Sequence, residues 1–125
     1  MFELKRAMSF IFLSIGIALM VSGCSSAAAS KNANEVEVAL KEYSIGTGEI
    51  RLTKTDTAPK VTIKNKGMNV HNFVIPEFGI DSGLIQPGES VTLELDVKEE
   101  KVVQAKCTLP GHTEAGMIAK VMIGK

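Results

Sequence analysis

Four side chains that can bind a soft metal ion stand out in this sequence of 125 residues. Cys107, His112 and Met117 lie in the segment AKCTLPGHTEAGM, with four residues between each ligand candidate and the next. His71, in VHNFVI, is the only other histidine. Two histidine nitrogens and one thiolate in a trigonal arrangement, with a distant thioether, form a blue-copper electron-transfer site. Zinc would accept the cysteine and the histidines, but its structural sites usually use four strong ligands and gain little from methionine.

Each of these residues also has an ordinary structural interpretation. Cys107 could be a buried, inert thiol, and Met117 could belong to the hydrophobic core. His71 could be a hydrogen-bonded histidine beside a strand, and His112 could be an exposed turn residue. Both histidines and a single nearby cysteine occur in the order that a copper site needs. The joint pattern therefore favours metal binding over four unrelated roles.

The N-terminus predicts an export signal and a lipid anchor. Lys5 and Arg6 precede an apolar stretch, residues 7–21, which is shorter than the ~20 residues of a bilayer-spanning helix and typical of a signal peptide. The residues VSG before Cys24 resemble a bacterial lipobox, in which the cysteine is lipidated and the chain is cleaved before it. The alternative is an ordinary secretory signal that is cleaved near residues 27–29.

A lipidated Cys24 changes the interpretation of Cys107. The chain has two cysteines, and two cysteines in an exported protein normally predict a disulfide. If Cys24 carries lipid, Cys107 has no partner within the chain. It is then an inert buried thiol, half of an intermolecular disulfide, a nucleophile or a metal ligand.

The sequence divides into three parts. Residues 1–23 are predicted to be a lipoprotein signal peptide, and residues 24–34 to be the lipidated cysteine with a small, polar, flexible tether. Residues 35–125 are predicted to form one copper-binding domain. The chain has 14 basic and 14 acidic side chains, and removal of residues 1–23 would leave 12 and 13. This near-neutral charge, without a basic run, gives no support for nucleic-acid binding.

The domain is predicted to be all-β. Alternating polar and apolar residues are typical of half-buried strands in an antiparallel sheet, and they occur in EVEVAL, KVTIKN, NFVI, SVTLELDV, KVVQAKC and MIAKVMI. Turn-forming segments separate these strands, namely GTGE, TDTAP, NKGMN, FGIDSG, QPGE and LPGH. About seven strands in roughly 90 residues predict a two-sheet β-sandwich or a small barrel.

Most of residues 35–125 resembles the cupredoxins, the family of small blue-copper proteins. The resemblance is strongest in VHNFVI, IQPGESVTL and KCTLPGHTEAGMIAKVMI. It implies a Greek-key β-sandwich of about seven to eight strands with one mononuclear type 1 copper site. The equatorial ligands that it implies are His71, Cys107 and His112, and the axial ligand is Met117.

The resemblance also implies two residues that support the ligands. The backbone N–H of Asn72 is expected to donate to the sulfur of Cys107, and the Asn72 side chain to bind the ligand loop near Thr108. Such contacts orient ligands and tune the metal. The gap of four residues between Cys107 and His112 resembles azurin, auracyanin and rusticyanin more than plastocyanin.

The function that follows is one-electron transfer by copper cycling between Cu(I) and Cu(II), without enzymatic activity. We expect a monomer that is held by lipid on the extracytoplasmic face of a bacterial membrane and meets extracytoplasmic redox proteins there. The alternative is a copper-delivery module of the cell envelope. A hydrolase with Cys107 as nucleophile and His112 as base has no evident oxyanion-stabilising group. A binuclear copper site would need a second cysteine in the loop.

Overall fold

The computed structural model of the protein describes residues 34–125. The predicted signal peptide, the predicted lipidation site Cys24 and the predicted tether up to residue 33 lie outside the described residues. Within residues 34–125 there are nine strands and one short 3-10 helix, Pro76–Phe78. The strands are Glu35–Lys41 (β1), Ser44–Ile45 (β2), Glu49–Thr53 (β3), Lys60–Asn65 (β4), Val74–Ile75 (β5), Ile80–Asp81 (β6), Ser90–Glu94 (β7), Lys101–Lys106 (β8) and Ile118–Gly124 (β9).

The strands form two sheets. One has the order β2-β1-β4-β7 and the other has the order β3-β9-β8-β5-β6. The chain passes repeatedly from one sheet to the other, so strands distant in sequence become neighbours, as in a Greek-key sandwich. The predicted all-β sandwich is therefore confirmed. No helix within the described part of the chain is long and apolar enough to cross a membrane.

The core lies between the sheets and consists mainly of aliphatic side chains. In β4, Val61 and Ile63 are buried while the side chains between them are more exposed, as the alternation predicts. Strand β9 repeats the pattern with Ala119, Val121 and Ile123. Phe73 is the largest fully buried side chain. Because the alternation fixes which face of each strand is buried, it also fixes the register of the sheets.

The pairing of the strands differs from the expectation of an antiparallel sheet. Strands β1 and β4 are parallel, and so are β3 and β9, whereas the other pairs are antiparallel. Alternation of side chains reports burial and is the same for both directions. The sequence pattern therefore carried no information on direction.

Three of the predicted strands are shorter than expected, for reasons visible in their hydrogen bonds. NFVI is a strand only at Val74–Ile75, because the backbone N–H of Phe73 donates to the Ser82 hydroxyl at 2.8 Å. Strand β7 ends at Glu94, and the next residue donates instead to the carbonyl of Pro59 at 2.9 Å. Strand β8 ends at Lys106. The N–H of the next residue, Cys107, donates to the carbonyl of Met117 at the far end of the loop that follows.

The first described residue is joined to the domain. Asn34 is the last residue of the predicted tether, and its side-chain nitrogen donates to the carbonyls of Thr57 at 2.8 Å and Ala58 at 3.1 Å. Its carbonyl accepts the N–H of Lys60 at 2.8 Å. These bonds fix the chain where it enters β1, next to the start of β4.

Candidate metal centre

Three loops meet at one end of the sandwich. The loop between β4 and β5 carries His71, and the loop between β8 and β9 carries the other predicted ligands. The third loop is the turn between β1 and β2. It lies at the same end because the parallel register pairs Leu40 with Asn65 and so places the ends of β1 and β4 side by side. The sequence predicted the first two loops as parts of the site and missed the turn.

The predicted ligand atoms converge at this end. One nitrogen of each histidine and the sulfur of Cys107 all lie within 4.8 Å of one another. The Nδ1 atoms of His71 and His112 are 3.2 Å apart, and Cys107 Sγ is 3.4 Å from His112 Nδ1. His71 and Cys107 are fully buried, and His112 is half-buried. The two imidazoles thus face each other through their Nδ1 atoms, and His112 presents the same atom to the thiol.

These separations fit a metal ion. An ion bound ~2.0–2.3 Å from two nitrogens and a sulfur in a trigonal plane would space those atoms roughly 3.5–3.7 Å apart. The measured distances of 3.2 and 3.4 Å are close to this spacing, and a small outward shift of the rings would provide the remainder. Thiolate and imidazole together are ligands that suit copper.

The loop from Cys107 to Met117 is closed by its own backbone. The N–H of Cys107 donates to the carbonyl of Met117 at 3.1 Å, and the N–H of Met117 donates to the carbonyl of His112 at 2.9 Å. The Thr113 hydroxyl donates to the carbonyl of Cys107 at 2.5 Å. Gly116 has a φ of 96°, a conformation that favours glycine. The three predicted ligands of this loop are therefore held by a hydrogen-bonded turn.

Met117 is fully buried beneath this loop. Its backbone bonds join it to both Cys107 and His112, and β9 begins at the next residue. This position agrees with a core residue and with an axial ligand alike. Axial coordination by its sulfur stays a prediction.

The two loops that carry the ligands are joined by a pair of side-chain hydrogen bonds. The side-chain nitrogen of Asn72 donates to the hydroxyl of Thr108, and its side-chain oxygen accepts the backbone N–H of Thr108, both at 2.8 Å. Asn72 is next to His71 and Thr108 is next to Cys107, so the link fixes the spacing of two predicted ligands. Donation from the Asn72 backbone N–H to the Cys107 sulfur stays a prediction.

Asn65 organises the approach to His71 and was not singled out in the sequence. Its side-chain nitrogen donates to the carbonyls of Asn69 and Ile85, both at 2.8 Å, and its oxygen accepts the N–H of Gly67 at 2.9 Å. The side chain is buried and bonded at both ends. The only signal in the sequence was that Asn65 is followed by Lys-Gly, which indicated a turn. It did not indicate that the side chain also holds the carbonyl of Ile85.

His71 is anchored from the other side by a short bridge. Its N–H donates to the carbonyl of Ile85 at 3.2 Å, and its carbonyl accepts the N–H of Ile85 at 2.8 Å. Ile85 is fully buried. The backbone of His71 is thereby held by the segment that leads to β7.

The turn between β1 and β2 contacts the surroundings of both histidines. Glu42 reaches the loop before His71, where its carboxylate accepts the N–H of Asn69 at 3.1 Å. The ring of Tyr43 meets the ring of His112 edge-on, with centroids 5.8 Å apart. Tyr43 has a φ of 60°, which is uncommon for a residue with a side chain. The two-residue turn lacks the usual Asn-Gly or Asp-Gly sequence, so it gave no hairpin signal.

Burial keeps His71 neutral. The pKa of His71 is lowered, first by desolvation and then by the nearby His112, while Glu42 acts in the opposite direction. A neutral imidazole has a free lone pair for a metal ion, whereas a protonated one has none. The lowered pKa therefore keeps His71 available as a ligand in mildly acidic solution.

This shift predicts that the metal-free protein loses stability in acid. In the unfolded chain His71 takes up a proton below about pH 6.5, whereas the folded protein resists protonation to lower pH. Stability should be constant with respect to this group above about pH 6.5 and should fall as the pH drops below that value. Urea unfolding of the wild type and of His71→Gln tests this. The free energy of unfolding of the variant should fall less between about pH 7.5 and about pH 5.5, and equal slopes would contradict the prediction.

Known structures share the fold of this chain. Dithionite-reduced auracyanin from the photosynthetic bacterium Roseiflexus castenholzii is 19% identical, with a TM-score of 0.63 over 74% of this chain and 98% of that chain. Auracyanin B is 16% identical, with a TM-score of 0.58 over 71% of this chain and 87% of its own. The azurin Az-iso2 from the obligate methylotroph Methylomonas sp. strain J is 14% identical, with a TM-score of 0.62 over 75% of this chain and 100% of its own.

These similarities establish the cupredoxin fold, as the resemblance in sequence implied. No protein-family model matches the chain, and no curated protein matches it. The identities are too low for a function to follow from the fold alone. The function therefore has to be argued from the site.

Proposed function

We propose that the protein is a type 1 copper protein that carries one electron at a time between redox partners outside the cytoplasm. The observation that carries this proposal is the convergence of one nitrogen from each histidine and the thiol of Cys107 within 4.8 Å. Copper, when bound, would supply the chemistry by alternating between Cu(I) and Cu(II). The protein transforms no substrate in this proposal and is not an enzyme.

The role of the protein is to hold the ligands in one arrangement for both oxidation states. His71 is fixed by its bridge to Ile85, and Cys107 by its bond to Met117. The link between Asn72 and Thr108 joins the two loops. Ligands held in this way need to move little when the charge changes, and little movement favours rapid electron transfer. Met117 is proposed as the weak axial ligand.

His112 is the proposed route for the electron. Its Nδ1 edge faces Cys107 and His71, and the ring is half-buried, so its opposite edge lies nearer to the surface. Several residues of the loop near it are small or apolar, and we call them the loop patch: Leu109, Pro110, Gly111, Ala115 and Gly116. The exposed side chains of Tyr43 and Glu114 lie beside this patch. A small, weakly polar patch suits a brief encounter with a redox partner.

The proposed location is the extracytoplasmic face of a bacterial membrane, with Cys24 as the lipid anchor. The support is the lipobox-like sequence before Cys24 and the apolar stretch that precedes it. Labelling with a radioactive fatty acid tests the anchor. The wild type should incorporate label and sediment with membranes, and Cys24→Ser should do neither. An unlabelled wild type would leave an ordinary secretory signal as the explanation.

Reversible redox cycling with retention of copper tests the electron-carrier function. The copper-loaded protein should lose its visible colour on reduction, recover it on oxidation and keep its copper beside a Cu(I) chelator. Burial of His71 and Cys107 is the physical reason to expect retention. Rapid loss of Cu(I) to the chelator would favour copper delivery instead. A protein that remains colourless with Cu(II) would contradict the electron-carrier function.

A further inference from the structure

Glu42 lies beside the metal centre but is not one of its predicted ligands. Its carboxylate oxygen Oε1 accepts the N–H of Met68 in a short hydrogen bond, and it accepts the N–H of Asn69 at 3.1 Å. These two residues belong to the loop that leads into His71. Glu42 therefore ties the turn between β1 and β2 to the segment that positions one histidine.

The carboxylate and the imidazole of His71 border the same small space. A β-carbon added at Gly67 would lie 2.6 Å from Glu42 Oε1 and 3.1 Å from His71 Nε2. Only a glycine leaves that space open. Both atoms thus border the position that a β-carbon of residue 67 would occupy, although Glu42 is 29 positions away from His71 in the sequence.

His71 Nε2 needs an acceptor on this side. Within residues 34–125 it is a buried side-chain atom with no hydrogen-bond partner. The other ring nitrogen, Nδ1, faces His112. When Nδ1 gives its lone pair to a metal ion, a neutral imidazole carries its proton on Nε2. A buried N–H of this kind is costly unless a partner accepts it.

We propose that Glu42 is a positioning residue of the site, whose carboxylate accepts the Nε2 proton of His71 directly or through one water molecule. Metal-bound histidines commonly donate their second N–H to a carboxylate, which fixes the tautomer and the orientation of the ring. The carboxylate can accept a further hydrogen bond besides those from the amides of Met68 and Asn69, because its two oxygens offer about four lone pairs. The inference rests on the proposed copper site.

The charge of Glu42 gives the proposal a measurable consequence. Its pKa is lowered, first by the hydrogen bond from the Met68 amide, so it is ionised at neutral pH. A fixed negative charge beside the site stabilises Cu(II) more than Cu(I). Glu42 therefore holds the reduction potential of the site below the value that the ligands alone would give.

Three variants of the full chain separate this role from a general effect of charge or folding. Glu42→Gln removes the charge and keeps an oxygen that can accept the loop amides. Gly67→Ala keeps the charge, but its methyl group fills the space that borders both the carboxylate and the His71 ring, so it displaces the carboxylate and crowds Nε2. Glu94→Gln is the matched control, since Glu94 pairs with Lys60 at the opposite end of β4 from the site.

The readouts are Cu(II) affinity, reduction potential and the tautomer of His71 in the copper-free protein. Glu42→Gln and Gly67→Ala should each weaken Cu(II) binding by ~10-fold or more and raise the potential, whereas Glu94→Gln should match the wild type. In copper-free protein, long-range nitrogen NMR should show the His71 proton on Nε2 in the wild type and a smaller share there in Glu42→Gln.

Failure of this inference can be distinguished from failure of the proposed function. Copper binding by the wild type with an unchanged potential in Glu42→Gln would overturn the role of Glu42 and leave the copper site intact. Equal weakening of Cu(I) and Cu(II) would also overturn it, because a merely structural role has that effect. If the wild type binds no copper, the proposed function fails. The tautomer of His71 in the copper-free wild type and Glu42→Gln then remains as the test of whether Glu42 accepts the Nε2 proton.

Discussion

Cys107→Ser should abolish the visible colour of the copper-loaded protein. The colour of such a site comes from charge transfer between a thiolate and Cu(II), and a hydroxyl oxygen is a far poorer ligand for Cu(I) than a thiolate. We expect Cu(I) affinity to fall by more than the ~10–100-fold that follows loss of an outer contact to a ligand. Absorption spectroscopy and competition with a Cu(I) chelator measure the two effects.

The controls for this variant must separate ligand loss from unfolding. Cys107 is fully buried, so a change at this position also affects packing. Cys107→Ala tests the packing without offering a hydroxyl, and the urea midpoints of both metal-free variants report whether the fold survives. Cys24→Ser should keep the colour, because Cys24 is not a predicted ligand. A coloured Cys107→Ser variant would show that another group supplies the charge transfer.

Phe73→Ala should be the most destabilising core substitution next to the site. Phe73 is 1% exposed and lies two residues after His71. Truncation of a buried phenylalanine costs about 3–5 kcal/mol of unfolding free energy, because it removes apolar contacts and leaves a cavity. The backbone of Phe73 is bonded to Ser82, so a collapse there would also disturb the loop that carries His71.

Phe78→Ala is the matched control for this prediction. Phe78 is only partly buried against the same core and lies in the short 3-10 helix. Its truncation should lower the free energy of unfolding by clearly less than that of Phe73, and it should leave copper affinity unchanged. Urea denaturation of the two metal-free variants measures the losses of stability, and titration with Cu(II) measures the affinity. Equal losses would contradict the claim that Phe73 supports the core beneath the site.

The sequence predicted the fold class because burial imposes a simple periodicity. In KVTIKN, alternate residues are buried, and the segment is a strand over its whole length, Lys60–Asn65. Strand β3, Glu49–Thr53, was missed because turn-forming residues flank it closely and GTGE includes its first residue. Strand β6 has only two residues and lies within FGIDSG, which was interpreted as a turn. Such short strands depend on a neighbouring strand rather than on their own sequence.

The two histidines and Cys107 could be predicted because the chain has only two histidines and two cysteines and their chemistry is distinctive. Met117, one of six methionines, was predicted from its place in the same loop. Glu42 and Asn65 could not be predicted, because local patterns explain them equally well as surface and turn residues. The contact of Glu42 with Met68 spans 26 positions. It exists only because β1 and β4 pair in parallel, and that direction is not encoded in the alternation of side chains.

The central claim, that His71, Cys107 and His112 hold copper in one site, is tested most directly by adding an equimolar amount of Cu(II) to the purified metal-free protein. The experiment is best done with Cys24→Ser in the background, so that Cys107 is the only thiol in the chain. We predict an intense visible absorption band that bleaches with reductant and returns with oxidant. A colourless protein that binds Zn(II) as tightly as copper would contradict the account.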